Sequence, residues 1–262
     1  MKKAYILSGI ILISSSFVWA KEKNFDGECA HIKYPFEFPV CAMELESKAT
    51  KEMLKEYKKS LNFTKKIKRA GKGRKSPYQY LIESQKRWQR LKNFECGNPK
   101  WDSERFSPGT RNGAVYTCKH MKTYFRTKEL NMLYSPNKIC KKEKNIANFE
   151  KCAFEYENSA NQKLLALYEK TVVYYKEKYH DYMSDHDRKS FTKNGVTGYD
   201  YLLKSQKEWE RQRDWECGNP MWNKDGKSSE NKADVAICKG KKSIIRFKEM
   251  EKIFYDVLNV NW

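Results

Sequence analysis

No segment of this 262-residue chain alternates apolar and polar side chains as a half-buried strand does, and no Cys-x-x-Cys pair occurs. The first absence leaves helices to build the fold. The second removes the usual footing of a zinc site or a thioredoxin-like redox motif. Histidine is scarce as well. His31, His120, His180 and His186 are the only four, and none recurs at a matching position of the repeat described below. His180-Asp181 and His186-Asp187 fit no standard ligand spacing and read as a solvated loop. A nucleophile–base pair is missing, and so are paired carboxylates. Glu95 and Glu216 are far apart, and nothing in the sequence brings them together, which argues against a glycosidase. These absences point to a protein that is not an enzyme and carries no cofactor and no metal.

Long hydrophobic runs are confined to the start. Lys2-Lys3 precede an apolar run, Ala4–Val18, that Ser14, Ser15 and Ser16 interrupt, so it is a poor bilayer span. It ends at Val18-Trp19-Ala20, which has the form of a signal-peptide cleavage site. The residue directly after Ala20 is Lys21 rather than cysteine, so a lipid anchor is not indicated. Residues 1–20 are therefore read as a signal peptide, and the rest as a periplasmic or secreted chain. The eight cysteines all follow it. In an exported protein an even set at repeated spacings reads as disulfides.

What the chain does have is a stretch that occurs twice. Leu81–Pro99 contains Gln85, Trp88, Arg90, Glu95 and Cys96, and these recur as Gln206, Trp209, Arg211, Glu216 and Cys217 within Leu202–Pro220. Neither copy has Gly or Pro before its closing Gly-Asn-Pro, so each reads as a helix stopped there, with a buried tryptophan and a terminal cysteine. Cys29, Cys41, Cys96 and Cys118 match Cys140, Cys152, Cys217 and Cys238 at offsets of 111, 111, 121 and 120 residues. The ten-residue jump marks an insertion in the second copy. A unit this long is a domain rather than a solenoid element. The expected fold is all-α, with two tandem disulfide-stapled three-helix domains, residues 21–136 and 137–262, meeting near Ser135-Pro136-Asn137.

In each copy helix A is expected over about 41–68 and 152–182, helix B over 78–96 and 199–217, and helix C over 114–134 and 233–258. Leu54, Tyr57 and Leu61, matched by Leu165, Tyr168 and Val172, supply the apolar stripe of helix A. The expected bridges are Cys96–Cys118 and Cys217–Cys238 between B and C, and Cys29–Cys41 and Cys140–Cys152 before A. Spacing alone does not prove these pairings. Gln85, Glu95 and Arg126, with Gln206, Glu216 and Arg246, read as a structural polar network in which Arg126 and Glu129 pair on the helix surface or brace the B–C junction.

The formal charge is +20. Residues 21–140 hold 27 Lys+Arg against 13 Asp+Glu, a balance of +14; residues 141–262 hold 24 against 20, a balance of +4. Such an excess attracts acidic partners: an acidic protein, nucleic acid, anionic lipid or a cell-wall polymer. The densest run is 65–75, where Lys65, Lys66, Lys68, Arg69, Lys72, Arg74 and Lys75 make seven of eleven residues basic. It is the candidate binding segment.

The cysteine frame, the Gln-Lys-Arg-Trp…Glu-Cys helix and a following Arg-x-x-Glu-Leu together resemble the LprI-like domain, an exported domain named for a lysozyme inhibitor. The matching residues are Gln85, Trp88, Glu95, Cys96, Arg126, Glu129 and Leu130, then Gln206, Trp209, Arg213, Asp214, Cys217, Arg246 and Glu249. The resemblance covers nearly the whole mature chain as two copies. It implies an exported binding protein that inhibits a lysozyme-like or other envelope enzyme by steric occlusion. The charge offers the alternative of an anion-surface binder working through 65–75.

Overall fold

The computed structural model of the chain describes residues 29, 37–67, 75–97, 108–135, 138–177, 192–193, 196–222 and 229–255. Six helices dominate: α1 (Phe38–Lys65), α2 (Pro77–Cys96), α3 (Pro108–Tyr134), α4 (Ile146–Lys176), α5 (Gly198–Cys217) and α6 (Ser229–Met250), with a π-helical turn at Glu251–Tyr255. The all-α expectation holds. The one strand pairing described is a two-residue hairpin before α5, with Thr192 opposite Thr197 and Lys193 opposite Val196.

Local chemistry sets the helix ends. Ser76 caps α2, accepting from Gln79 N–H while the Gln79 side chain returns to Ser76 N–H, and Pro77 fills the first helical position. Thr197 and Asp200 repeat the device at α5. Asn145 caps α4 by accepting from Ala147 N–H at 2.7 Å. At the far ends of α2 and α5, Gly97 and Gly218 donate their N–H to Asn93 and Asp214 carbonyls.

Three disulfides follow the expected pairing: Cys96–Cys118, Cys140–Cys152 and Cys217–Cys238. Cys29 and Cys41 are disulfide-bonded too, and no described cysteine is free. Each α-helical bridge closes a loop of about twenty residues, a constraint on the unfolded chain worth roughly 3 kcal/mol. Cys140 is the one non-glycine residue described with positive φ, at 57°. A backbone of that hand costs about 1–2 kcal/mol, and the bond to Cys152 at the start of α4 holds it there. The disulfides fit an oxidising, exported environment. No described helix is long and apolar enough to cross a membrane.

Contacts group the chain into Met1–His31 and Ile32–Trp262; the helices all lie in the second unit. Within it each half runs up, down and up. Met53 on α1 faces Gln85 on α2, Lys92 on α2 faces Glu46, and the Leu45 carbonyl faces His120 on α3. Thus α1 and α3 are parallel neighbours, with α2 antiparallel beside them. The two halves do not sit apart. Helices α2 and α5 pair antiparallel, as do α3 and α6, so these four make a shared centre flanked by α1 and α4. One apolar cluster draws Met53, Leu81, Trp88, Leu130, Leu133 and Tyr134 from the first half and Cys217 and Cys238 from the second.

Trp88 and Trp209 are buried as expected. The stripe on helix A is not as expected. Leu54 is 52% exposed and Leu165 54%. The buried positions are instead Ala42, Ala49, Met53, Ser60 and Thr64 on α1, and Ala153, Ala160, Leu164, Leu167, Thr171 and Tyr175 on α4. Small residues let these helices lie close to their neighbours, and Tyr57 and Leu61 pack only at the edge of the apolar cluster. Tight approach also explains Gly240 on α6. A Cβ there would lie 2.6 Å from the Tyr156 ring and 3.2 Å from the Glu157 backbone. Gly240→Ala is expected to cost about 1–3 kcal/mol by overpacking, seen as a lower urea midpoint with an unchanged slope.

Candidate functional site

The polar network read from the sequence exists, but it is built across the halves. Glu95 and Lys122 come from the first half, and Arg246 and Glu249 from the second. Lys122 bonds Glu95 and, at 2.5 Å, Glu249; Arg246 bonds Glu249 and, at 2.8 Å, Glu95. The four charges close a ring of alternating sign. A second ring mirrors it: Glu216 and Lys242 with Arg126 and Glu129. Its sides are Lys242–Glu216 at 2.6 Å, Lys242–Glu129 at 2.5 Å, Arg126–Glu129 at 2.5 Å and Arg126–Glu216 at 3.2 Å. All eight side chains are buried.

The remaining donors and acceptors are used as well. Arg126 donates to Ser84 and Gln85, and Arg246 donates to the matching Ser205 and Gln206. Ser205 donates to Glu95, and Tyr134 to Glu216. Burial alone would raise the Glu95 carboxyl, but Arg246 and Lys122 outweigh it and hold it at about 2. Burial is likewise overcome at Glu216, where Arg126 and Lys242 hold the carboxyl far below the usual range. Burial opposes the charge on Arg126 too, yet Glu216 and Glu129 push that guanidinium up. Burial, reinforced by Glu216, pushes the Tyr134 phenol well up. Glu95 and Glu216 are fixed anions, and each ring holds two basic and two acidic side chains, so its formal charges cancel.

The net charge is therefore displayed outside them. On the outer side of the α2–α5 pair lies a groove of about 340 Å³, lined by Arg87, Arg90, Leu91, Phe94, Glu208, Arg211 and Gln212. The matching residues Arg90 and Arg211 both line it, one from each half. Arg211 pairs with Glu208 at 2.5 Å. Arg87 lies 4.3 Å from the centre of the Trp215 ring, and Trp215 stacks on Tyr80. Arg90 is exposed and forms no ion pair with a described residue. Phe94 stacks on Tyr201, the mirror of the Tyr80–Trp215 stack. Gln212 is buried, and its Oε1 accepts no hydrogen bond from a described residue.

The expected binding segment meets this face at its end. Lys75 sits 5.2 Å from the Trp215 ring centre, beside Arg87, and pairs with Glu83 at 2.5 Å. Lys65 lies over Tyr78 at 5.0 Å, and Lys66 is exposed. Lys68, Arg69, Lys72 and Arg74 lie outside the described residues, as do His31, His180 and His186. His120 is a packing residue, with Nδ1 3.0 Å from the Leu45 carbonyl. The groove arginines were missed as a site in the sequence. Their one signal was the recurrence of Arg90 as Arg211.

Compared with known protein families, curated proteins and solved structures, the chain matches none.

Two outcomes follow from the rings. Glu216→Gln removes one anion and leaves Arg126 and Lys242 underpaired, so it is expected to cost about 3–5 kcal/mol in urea unfolding. Glu95 has a depressed folded pKa, so its contribution is complete above its ordinary value of 4.5 and is lost as pH falls toward about 2. Near-UV circular dichroism in an acid titration is expected to hold through pH 4 and collapse only near the bottom of that window.

Proposed function

We propose that this is an exported, non-enzymatic binding protein that docks a rigid basic face on an acidic protein and occludes it. The observation that carries the reading is the arginine-walled groove, joined through Trp215 to Lys75 at the end of the basic segment. The buried charges cancel within the rings, so the +18 of residues 21–262 (+14 and +4) acts outward. Disulfides and closed rings hold the face in one shape, which lowers the ordering cost of binding. The buried carboxylates Glu95 and Glu216 are held as anions, a poor state for proton transfer.

The resemblance to LprI-like domains supports the steric mode of action. The charge supports a partner of opposite sign, since like charge slows encounter and opposes docking. Under this reading the target is an acidic envelope protein rather than a basic lysozyme.

Pull-down from a periplasmic extract at stepped salt is the test. Acidic proteins are expected to be retained at low salt and released as ionic strength rises. Charge reversal of Lys65, Lys66, Lys75 and Arg87 is expected to abolish retention. Retention that ignores both salt and charge reversal would overturn the reading.

A further inference from the structure

We propose that the α2–α5 groove takes a short segment of an acidic polypeptide, with a carboxylate between Arg90 and Arg211 and an apolar side chain against Phe94. This rests on the acidic-partner reading above and adds the place and the chemistry of recognition. Three features of the groove select such a ligand. First, Arg90 has no described ion-pair partner, and Arg211 shares its charge with a single carboxylate, Glu208. Two guanidinium forks approaching from matching positions suit a planar carboxylate, which each can grip with paired N–H groups.

Second, the groove is not lined by cations alone. Leu91 and Phe94 give it an apolar part, and its volume of about 340 Å³ falls at the low end of ligand-sized clefts. That is room for a side chain and its flanking backbone. Third, the groove contains an accessible acceptor, the carboxylate of Glu208. The backbone N–H groups of a peptide are donors of the kind such an acceptor needs. A phosphate or sulfate polymer has no apolar side chain to set against Phe94, and its anionic groups are repelled by Glu208.

The test is fluorescence anisotropy with the full chain and a labelled peptide of alternating Glu and Leu or Phe. Three competitors are used: the same peptide with Ser for each apolar residue, a heparin oligosaccharide and inorganic polyphosphate. The apolar–acidic peptide is expected to bind best. The double variant Arg90→Ala, Arg211→Ala is expected to weaken it at least ten-fold, and Arg90→Lys, Arg211→Lys less. Both arginines lie outside the rings and on the surface, so the variants are expected to keep the parent's urea midpoint; a shifted midpoint with unchanged peptide binding still overturns the proposal. Equal binding of the Ser peptide, heparin or polyphosphate also overturns it. If the double variant binds normally while reversal of Lys65, Lys66 and Lys75 abolishes binding, the groove assignment falls and the acidic-partner reading stands. If neither set matters, both fall.

Discussion

Eight ionised side chains buried inside a small helical protein are the constraint that shapes the rest. Taking a carboxylate, an ammonium or a guanidinium out of water costs several kcal/mol per ion. Here the cost is offset only because the charges close into rings and their spare hydrogen-bonding groups meet Ser84, Gln85, Ser205, Gln206 and Tyr134. Neither half can close a ring by itself. Glu95 needs Arg246, and Arg126 needs Glu216. Buried ion pairs add little net stability over apolar packing, but a broken one is very costly. Both rings close only when the two halves meet in this arrangement.

That arrangement explains why the surface carries the charge. The rings consume four basic and four acidic groups in balance, so the whole net positive charge is left for solvent and partners. The seam between the halves also makes the groove. Pairing α2 antiparallel to α5 sets Arg90 and Arg211 around one cleft and Phe94 and Trp215 against the tyrosines of the opposite helix. The interior and the candidate site are two faces of a single act of pairing.

Much of this was legible in the sequence. The six helices lie where A, B and C of each copy were expected, most closely for B at Pro77–Cys96 and Gly198–Cys217, and three bridges pair as expected. Trp88 and Trp209 are buried as read, and Arg126 and Glu129 pair as read but in the interior rather than on a helix surface. The misreading of Leu54 and Leu165 has a physical reason. Apart from Met53, the contact face of α1 is made of Ala42, Ala49, Ser60 and Thr64, whose value is small size rather than hydrophobicity, so the apolar pattern pointed one step off the true face. The rings escaped for another reason. Partners such as Glu95 and Arg246 leave no local trace at their separation, and a helix-surface pairing was the simpler account of the same residues. The groove escaped because arginines on a polar helix face look alike whether or not a second helix brings its own beside them.

The way each ring is shared has a consequence in time. A polypeptide is made and handed on from its N-terminus. Glu95, Lys122, Arg126 and Glu129 therefore emerge long before Glu216, Lys242, Arg246 and Glu249 exist to meet them. The second ring closes only after residue 242, and the first only after residue 249. A nascent chain cut short before α6 has Lys122 to meet Glu95 and Arg126 to meet Glu129, but both of its rings are left unclosed where its interior ought to be.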